Sequence, residues 1–452
     1  MDLVKWLILH KLLFIFACYQ GLSVLTWFIT AVVLTIGLAY GLKRFRPPPA
    51  KSDGPTDGWY GPGDKKEDDT SITPFEVKVA DETLLNRLKQ TRINHETLED
   101  ADTFEYGFNV NYLKKVRDYW LNDFDWRKQE ATLNSFPQFT TEIEGIKVHF
   151  YHVKPNPDKY KKILPLLVVH GWPGCVFEFY KFIPMLTDPA AYNLGFGDFA
   201  FEVFAAARIF GKLMLRLGHE KFYLQGGDWG SSIVRHVARQ LPENVCGLHT
   251  NFMTAMIGSS KRTTLLMLLG SYFPRFLFSN HPNYDCFRNI KLLIAETGYM
   301  HIQATKPDTI GTALNDSPLG LAAYILEKFS TWTNASYREL PDGGLTKKFT
   351  LDELLTIITI YWTQGNIVSS QRFYKELYRD ANNSRNDFII VPCAHAQCEH
   401  ELFDREPKEI LSEYCNLVSQ KSILNAGHFA AFEEPKALAE HFFSFVSDLQ
   451  KQ

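Results

Sequence analysis

The stretch "KFYLQGGDWGSSIVRHVARQL" (221–241) decides how this chain folds. A short apolar run enters Gly226–Gly227, and an amphipathic helical pattern begins immediately beyond. A strand that becomes a helix within so few residues must turn sharply, and Gly226 and Gly230 flank Asp228 where side chains would collide with neighbouring backbone. "LPLLVVHGWPG" (164–174) repeats the first half of that unit: a continuous apolar run, as a buried parallel strand requires, ending in a glycine-proline turn. "DFIIVPC" (387–393) and "KSILNAGHFAAFEEP" (421–435) supply two more strand-then-loop units. Strands alternating with helices imply an α/β fold with a doubly wound, mostly parallel sheet. Residues 254–370 lack such strands and are rich in helical patterns and aromatics, so they read as an inserted helical lid.

Upstream, "DETLLNRLKQTR" (81–92) and "NYLKKVRDYWLNDFDW" (111–126) have helical spacing, whereas "FTTEIEGIKVHFYHVK" (139–154) alternates and turns like a β-hairpin. Residues 47–72 form a linker rich in Pro, Gly, Lys and Asp; its rings Trp59 and Tyr60 are expected to dock, since wet aromatics are costly. The expected organisation is an anchor (1–46), a linker and N-terminal region (47–160), a first core part (161–253), a lid (254–380) and a second core part (381–452).

Residues 21–42, "GLSVLTWFITAVVLTIGLAYGL", are an uncharged apolar run of the length a bilayer-spanning helix needs. The run exceeds a signal-peptide core, lacks an A-x-A cleavage pattern and ends in "KRFRPPP", so a retained single-pass anchor is expected. Lys43, Arg44, Arg46 and Lys51 follow it and only Lys5 and Lys11 precede it, which favours a cytosolic body. The nearby "LLFIFACYQ" (12–20) is too short to span alone. A net charge of −3 gives no electrostatic footprint for nucleic acid. The seven cysteines show neither CxxC pairs nor ligand spacing with histidine, so no zinc site or disulfide framework is indicated.

In a sheet of this kind, ligands sit beyond the carboxyl ends of the strands. Asp228, Glu401 and His428 each follow a strand-like run, in the order nucleophile, acid, histidine that α/β-hydrolases use. Alone, "GGDWG" is equally well an ordinary turn whose Asp caps the next helix, His428 a core histidine and Glu401 a solvated carboxylate. Their order, together with "HGWPG" upstream, makes those readings improbable. A carboxylate in the nucleophile position suits displacement at strained sp³ carbon, which it attacks without first losing a proton.

"HGWPG" (170–174), "GGDWG" (226–230), "GYMHIQATKPDT" (298–309), "LNDSPLGLAAYILEKFSTWT" (314–333) and "AGHFAAFEEP" (426–435) resemble the microsomal epoxide hydrolases, the membrane-bound epoxide hydrolases of the α/β-hydrolase superfamily. "DGWYGPG" (57–63) and "YGFNVNYLKKV" (106–116) belong to the same resemblance, which runs from the anchor to residue 450. It implies conversion of epoxides to vicinal diols through a glycol ester on Asp228. His428, oriented by Glu401, would then activate the water that hydrolyses the ester. Tyr299 and Tyr374 would donate to the epoxide oxygen, as phenols with a pKa near 10 can. Backbone N–H groups of Trp172 and Trp229 would form the oxyanion hole. The implied partners are a small-molecule epoxide, water and the lipid bilayer, with no cofactor, no metal and no nucleic acid. The implied place is the endoplasmic reticulum membrane, and the implied role is detoxification of xenobiotic or lipid epoxides; a terpenoid hormone epoxide is a further candidate substrate.

Two departures stand out. At "FEVFAAARIF" (201–210), about twenty residues of strand end and loop that the family carries are absent, a count that rests on the resemblance. A strand there could reach a normal length only by borrowing from the following helix, so a truncated strand and impaired stability and activity are expected. Around the acid, "VPCAHAQCEHELF" (391–403) keeps the spacing to Glu401 but is unusually polar, with Glu399 and Asp404 as competitors. Two other functions remain open: a haloalkane dehalogenase, which would need halide donors in place of the lid tyrosines, and a catalytically dead, membrane-tethered binding protein.

Overall fold

The computed structural model describes residues 58–451 except 81, 94, 100, 197, 207–208, 256–259, 289, 380–387 and 404. The expected anchor and Asp404 lie outside the described residues. Among those described, no helix is long and apolar enough to cross a membrane.

Among the described residues nine strands share one sheet: β1 (Thr73–Phe75), β2 (Gln138–Ile143), β3 (Ile146–Val153), β4 (Lys162–Val169), β5 (Phe199–Ala206), β6 (Phe222–Gly226), β7 (Val245–Thr250), β8 (Ile389–Cys398) and β9 (Cys415–Ile423). Their order is β1-β2-β3-β5-β4-β6-β7-β8-β9. The first three pairings are antiparallel and every pairing from β5 across to β9 is parallel. Every residue of β6 is buried, the burial that its unbroken apolar sequence calls for. The sequence did not single out β7, because "VCGLHT" is short and mixes glycine and histidine into its run.

The hairpin β2–β3 closes through a two-residue loop, with Ile143 opposite Ile146. Glu144 (φ +55°) and Gly145 (φ +76°) both occupy the left-handed region such a tight turn requires. Asp68 caps the turn, accepting from the N–H groups of Glu144 (2.8 Å) and Gly145 (2.9 Å). The two linker rings differ in burial here. Trp59 is half-buried against Gly145, while Tyr60 stays 61% exposed.

Helices α1 (Glu82–Gln90), α2 (Val110–Asn122) and α3 (Trp126–Asn134) precede the sheet. Then α4 (Phe182–Thr187) follows β4, α5 (Phe210–Arg216) follows β5, and α6 (Asp228–Gln240) follows β6. Between β7 and β8 the described residues form helices only: α7 (Lys261–Tyr272), α8 (Pro274–Leu277), α9 (Ile290–Glu296), α10 (Gly298–Thr305), α11 (Pro307–Asp316), α12 (Pro318–Thr331), α13 (Leu351–Gln364) and α14 (Ile367–Arg379), with short 3₁₀ turns. The chain closes with α15 (Lys408–Leu411), α16 (Ala430–Glu433) and α17 (Pro435–Gln450). One apolar cluster joins the N-terminal helices to the lid: Leu88, Val116 and Trp120 pack with Ile325, Phe329, Leu354 and Ile358, and with Trp172, Tyr299 and Tyr374. The N-terminal helices therefore buttress the roof of the site, while the N-terminal strands β1–β3 extend the sheet.

The expectation of a truncated strand near residue 203 is corrected. β5 runs eight residues, pairs with β4 from Lys162↔Phe199 to Val168↔Ala205, and pairs with β3 through Ala206. It reaches this length by taking Ala205 and Ala206, the start of the helical pattern "AAARIFGKLMLRLG" (205–218), and α5 is left with seven residues. Completing the ladder satisfies backbone groups that would otherwise be buried unpaired, and that outweighs two more residues of helix. The cost appears at Ile209, a β-branched residue held at φ +90°.

Candidate active site

The site lies at the carboxyl ends of β4, β6 and β8 and in the loop after β9. At the end of β6, Asp228 opens α6 with φ +47°, an unfavourable backbone for a residue with a Cβ. The close approach of strand and helix requires glycine at 230: a Cβ there would lie 2.0 Å from the Val169 carbonyl oxygen. Turn and packing together hold the carboxylate up above the strand ends.

The two oxygens of Asp228 have different neighbours. Oδ1 accepts the backbone N–H of Trp172, at 2.8 Å, and Oδ2 faces His428 Nε2, at 3.2 Å. On the other edge of the imidazole, Nδ1 lies 3.0 Å from Glu401 Oε2 and 3.2 Å from Oε1. Burial opposes a charge on His428, but the carboxylates of Glu401 and Asp228 outweigh it and raise its pKa well above 6.5. Converting Asp228 to an ester would remove one of those two charges and lower the imidazole pKa, so more of it would be neutral and free to accept a proton. The second expected oxyanion donor, Trp229, is the second residue of α6, where a helix N–H has no carbonyl partner four residues back.

Glu399 does not reach the histidine. Its carboxylate caps the β9 turn by accepting from Asn425 N, at 2.9 Å, and its side chain is 37% exposed. The structure therefore places Glu401, and not Glu399, beside His428.

The lid brings both tyrosines to the "HGWPG" turn. Tyr299, on α10, stacks flat on Trp172, with ring centroids 5.3 Å apart and planes at 7°. Tyr374, on α14, stands edge-on to Trp172 (5.8 Å), Tyr299 (5.9 Å) and Trp229 (4.9 Å). Its hydroxyl is buried and makes no hydrogen bond of normal geometry among the described residues. The pKa of Tyr374 is pushed well above 10 by burial, and then by Tyr299 and Asp228. It stays a proton donor throughout the neutral range.

Several supporting residues had no signal in the sequence. Glu433 on α16 accepts from Gly427 N (2.6 Å) and Phe429 N (2.8 Å), gripping the His428 loop from both sides. The carbonyl of Trp332 accepts from His428 N at 3.0 Å, and its ring lies edge-on to the imidazole. Tyr361 donates to the Gly174 carbonyl at 2.9 Å, tying α13 to the "HGWPG" turn. A glutamate inside "AAFEEP" or a tyrosine inside an apolar helix announces none of these roles.

Two family models match the chain: "Epoxide hydrolase N terminus" over residues 72–179 and "alpha/beta hydrolase fold" over residues 165–435. The chain is 47% identical to "Epoxide hydrolase 1" of Sus scrofa over 429 residues, covering 88% of this chain and 93% of that protein. Those 429 aligned positions exceed 88% of a 452-residue chain, so the pig protein carries residues that this chain lacks. It is 39% identical to "Juvenile hormone epoxide hydrolase 1" of Ctenocephalides felis, covering 97% of this chain and 95% of that protein. The crystal structure of juvenile hormone epoxide hydrolase from the silkworm Bombyx mori superposes with a TM-score of 0.79 at 35% identity, over 87% of this chain and 99% of that one. The chain belongs to the epoxide hydrolase family of the α/β-hydrolase fold.

Proposed function

We propose that this protein hydrolyses lipophilic epoxides to vicinal diols with Asp228 as nucleophile. What supports the reading is the environment of the Asp228 carboxylate, with Oδ1 on a backbone N–H and Oδ2 toward an imidazole backed by Glu401. In the first half-reaction an Asp228 oxygen attacks an epoxide carbon and the C–O bond of the ring breaks. The leaving alkoxide takes a proton from Tyr374 or Tyr299. In the second, His428 removes a proton from water, whose oxygen adds to Cγ of Asp228. The Trp172 and Trp229 N–H groups hold the resulting oxyanion until the diol oxygen leaves with a proton. A halide-releasing reaction is disfavoured, because two phenols occupy the roof where halide donors would be needed.

The aromatic lining of Trp172, Tyr299, Tyr374 and Trp332 suits aryl and other apolar epoxides, the microsomal type of activity. A terpenoid epoxide is the second reading, favoured by the long match to the flea protein. Ratios of kcat/KM for an aryl and a terpenoid epoxide separate the two. The mechanism is tested with His428→Gln: incubation with an epoxide should leave a covalent adduct on Asp228 in intact-protein mass spectra. Full turnover without an adduct would overturn the scheme.

The same reading places the protein on the endoplasmic reticulum membrane through residues 21–42, with a cytosolic body. Removing residues 1–46 should release it from membranes with its turnover intact. Protease added to sealed microsomes should digest the body, and complete protection would reverse the orientation.

A further inference from the structure

Behind the nucleophile lies a cavity of about 30 Å³, lined by Asp228, His428, Glu178, Gln225 and Asn251 among others, but by neither Tyr299 nor Tyr374. Two half-reactions therefore have two sides of one carboxylate available to them. The tyrosine side suits the epoxide. The other side has room for two or three water molecules, at about 10–15 Å³ of such volume each.

Glu178 is the carboxyl group of this cavity that the proposed mechanism does not use. It sits in the 3₁₀ turn Val176–Phe179 that follows "HGWPG", is only 7% exposed, and is paired with no Lys or Arg among the described residues. A Cβ on Gly174 would lie 2.2 Å from its Oε2, so the carboxyl group is laid against the "HGWPG" turn. A buried carboxylate without a cation is costly, and such a group is retained only where something offsets the cost. Burial raises the Glu178 pKa to about 8, His428 opposes that, and Asp228 and Glu433 add to it. At neutral pH the group is a carboxylic acid with one donor and an acceptor oxygen. Gln225, 1% exposed, lines the same cavity, and its Oε1 is buried without a hydrogen-bond partner among the described residues. An acid and an unpartnered amide oxygen beside the Asp228–His428 pair are the polar lining that a single ordered water needs.

We propose that Glu178 is a positioning residue that holds the hydrolytic water against Cγ of the Asp228 ester, in line with His428. The proposal rests on the ester mechanism above. The water oxygen bonds to Cγ while its proton passes to His428 Nε2. The tetrahedral intermediate then expels the diol oxygen, which takes that proton; the second proton of the water, left on the Asp228 carboxyl, returns to the tyrosine that protonated the ring oxygen, so carboxylate and phenol are both restored. Glu178 neither gains nor loses a proton over the cycle; it fixes the angle of approach. The groups that face it are His428 from its loop, Asp228 from the elbow, Glu433 from α16, Tyr361 from α13 and the Cys175 thiol.

The test is rapid-quench single turnover of the full chain, with the adduct followed by mass spectrometry, for wild type, Glu178→Leu and Glu178→Gln. Glu178→Leu should form the ester at close to the wild-type rate but hydrolyse it at least about tenfold more slowly, since a misplaced reactant costs up to about 10²-fold. Glu178→Gln keeps a donor and an acceptor, so it should recover most of that rate while losing an ionisation from the pH profile of ester hydrolysis. Ester hydrolysis at the wild-type rate in Glu178→Leu would overturn the proposal. So would a Glu178→Gln protein as slow as Glu178→Leu with an unchanged pH profile, which would mark a packing role. If Glu178→Leu does not fold, the Glu178→Gln profile decides alone. Absence of any adduct in wild type and His428→Gln would count against the ester mechanism itself, and is separable from these outcomes.

Discussion

Two strand-to-helix crossovers in this sheet can be compared directly. β6 passes into α6 through Gly227–Asp228, and β5 passes into α5 through residues 207–209. Each places a non-glycine residue in the left-handed region, Asp228 at φ +47° and Ile209 at φ +90°. Around Asp228 the strain is over-determined. Strand and helix touch at Gly230, and Trp172 N–H and His428 hold the two oxygens. Around Ile209 no side-chain cap supports the start of α5, and the residue is only partly buried. At Asp228 the strain sets a half-buried carboxylate above the strand ends, where the proposed chemistry would use it. At Ile209 it accompanies a strand that runs to Ala206 and a helix that starts at Phe210.

Asp228→Ala should produce the largest effect, a loss of turnover of ~10⁴-fold or more with the melting temperature within a few degrees of wild type, because it removes the nucleophile but not the turn. Residual turnover near wild type would end the comparison by showing that this elbow carries no chemistry. Gly230→Ala should come next. Its methyl would meet the Val169 carbonyl at 2.0 Å, and overpacking of this kind costs about 1–3 kcal/mol. Thermal unfolding should show the drop, and turnover should fall with it as the carboxylate shifts.

Acid should weaken the core that both crossovers share. His249 and His441 are hydrogen-bonded at 3.0 Å inside the sheet–α17 layer. Burial holds His149, His395 and His441 at about 4 and His249 well below 6.5. A histidine lowered in the folded state binds its proton first in the unfolded chain. Its stabilising contribution is therefore present above about 6.5 and is lost as pH falls toward about 4. Glu178 and Glu433, raised to about 8, act oppositely between about 8 and 4.5, as do Glu327 and His428, which are also raised, but burial lowers His170, His219 and His281 as well, so seven histidines stand against four groups. The melting temperature should drop between pH 7 and pH 5, and a flat profile would show the histidines are hydrated instead. The smallest effect is expected at β5. A family-length loop inserted after Val203 can relieve at most the strain at Ile209, about 1–2 kcal/mol, because the ladder is already complete. A rise in melting temperature beyond a few degrees would mean the shortened crossover costs more than its backbone shows.

The sequence was most legible where residue type and chemistry coincide. Asp228, Glu401 and His428 could be picked out in order because a nucleophile elbow, an acid and a histidine each follow a strand-like run. Tyr299 and Tyr374 were legible only through resemblance, since a tyrosine on an amphipathic helix has the same pattern whether it packs or donates a proton. Ala205 and Ala206 were not legible as strand because alanine is compatible with helix and strand alike, and only pairing with β3 and β4 decides between them.

By itself, then, the sequence determined the alternation of strands and helices, the sharp turn at 226–230 and the kinds of side chain available for catalysis, because these depend on local periodicity and steric size. Tertiary structure alone decided that Glu399 caps the β9 turn, that Glu433 grips the histidine loop, and that Glu178 and Gln225 share a cavity behind Asp228. Each of those facts is a distance between residues far apart in the chain, fixed by how the layers pack, and no pattern along the sequence records it.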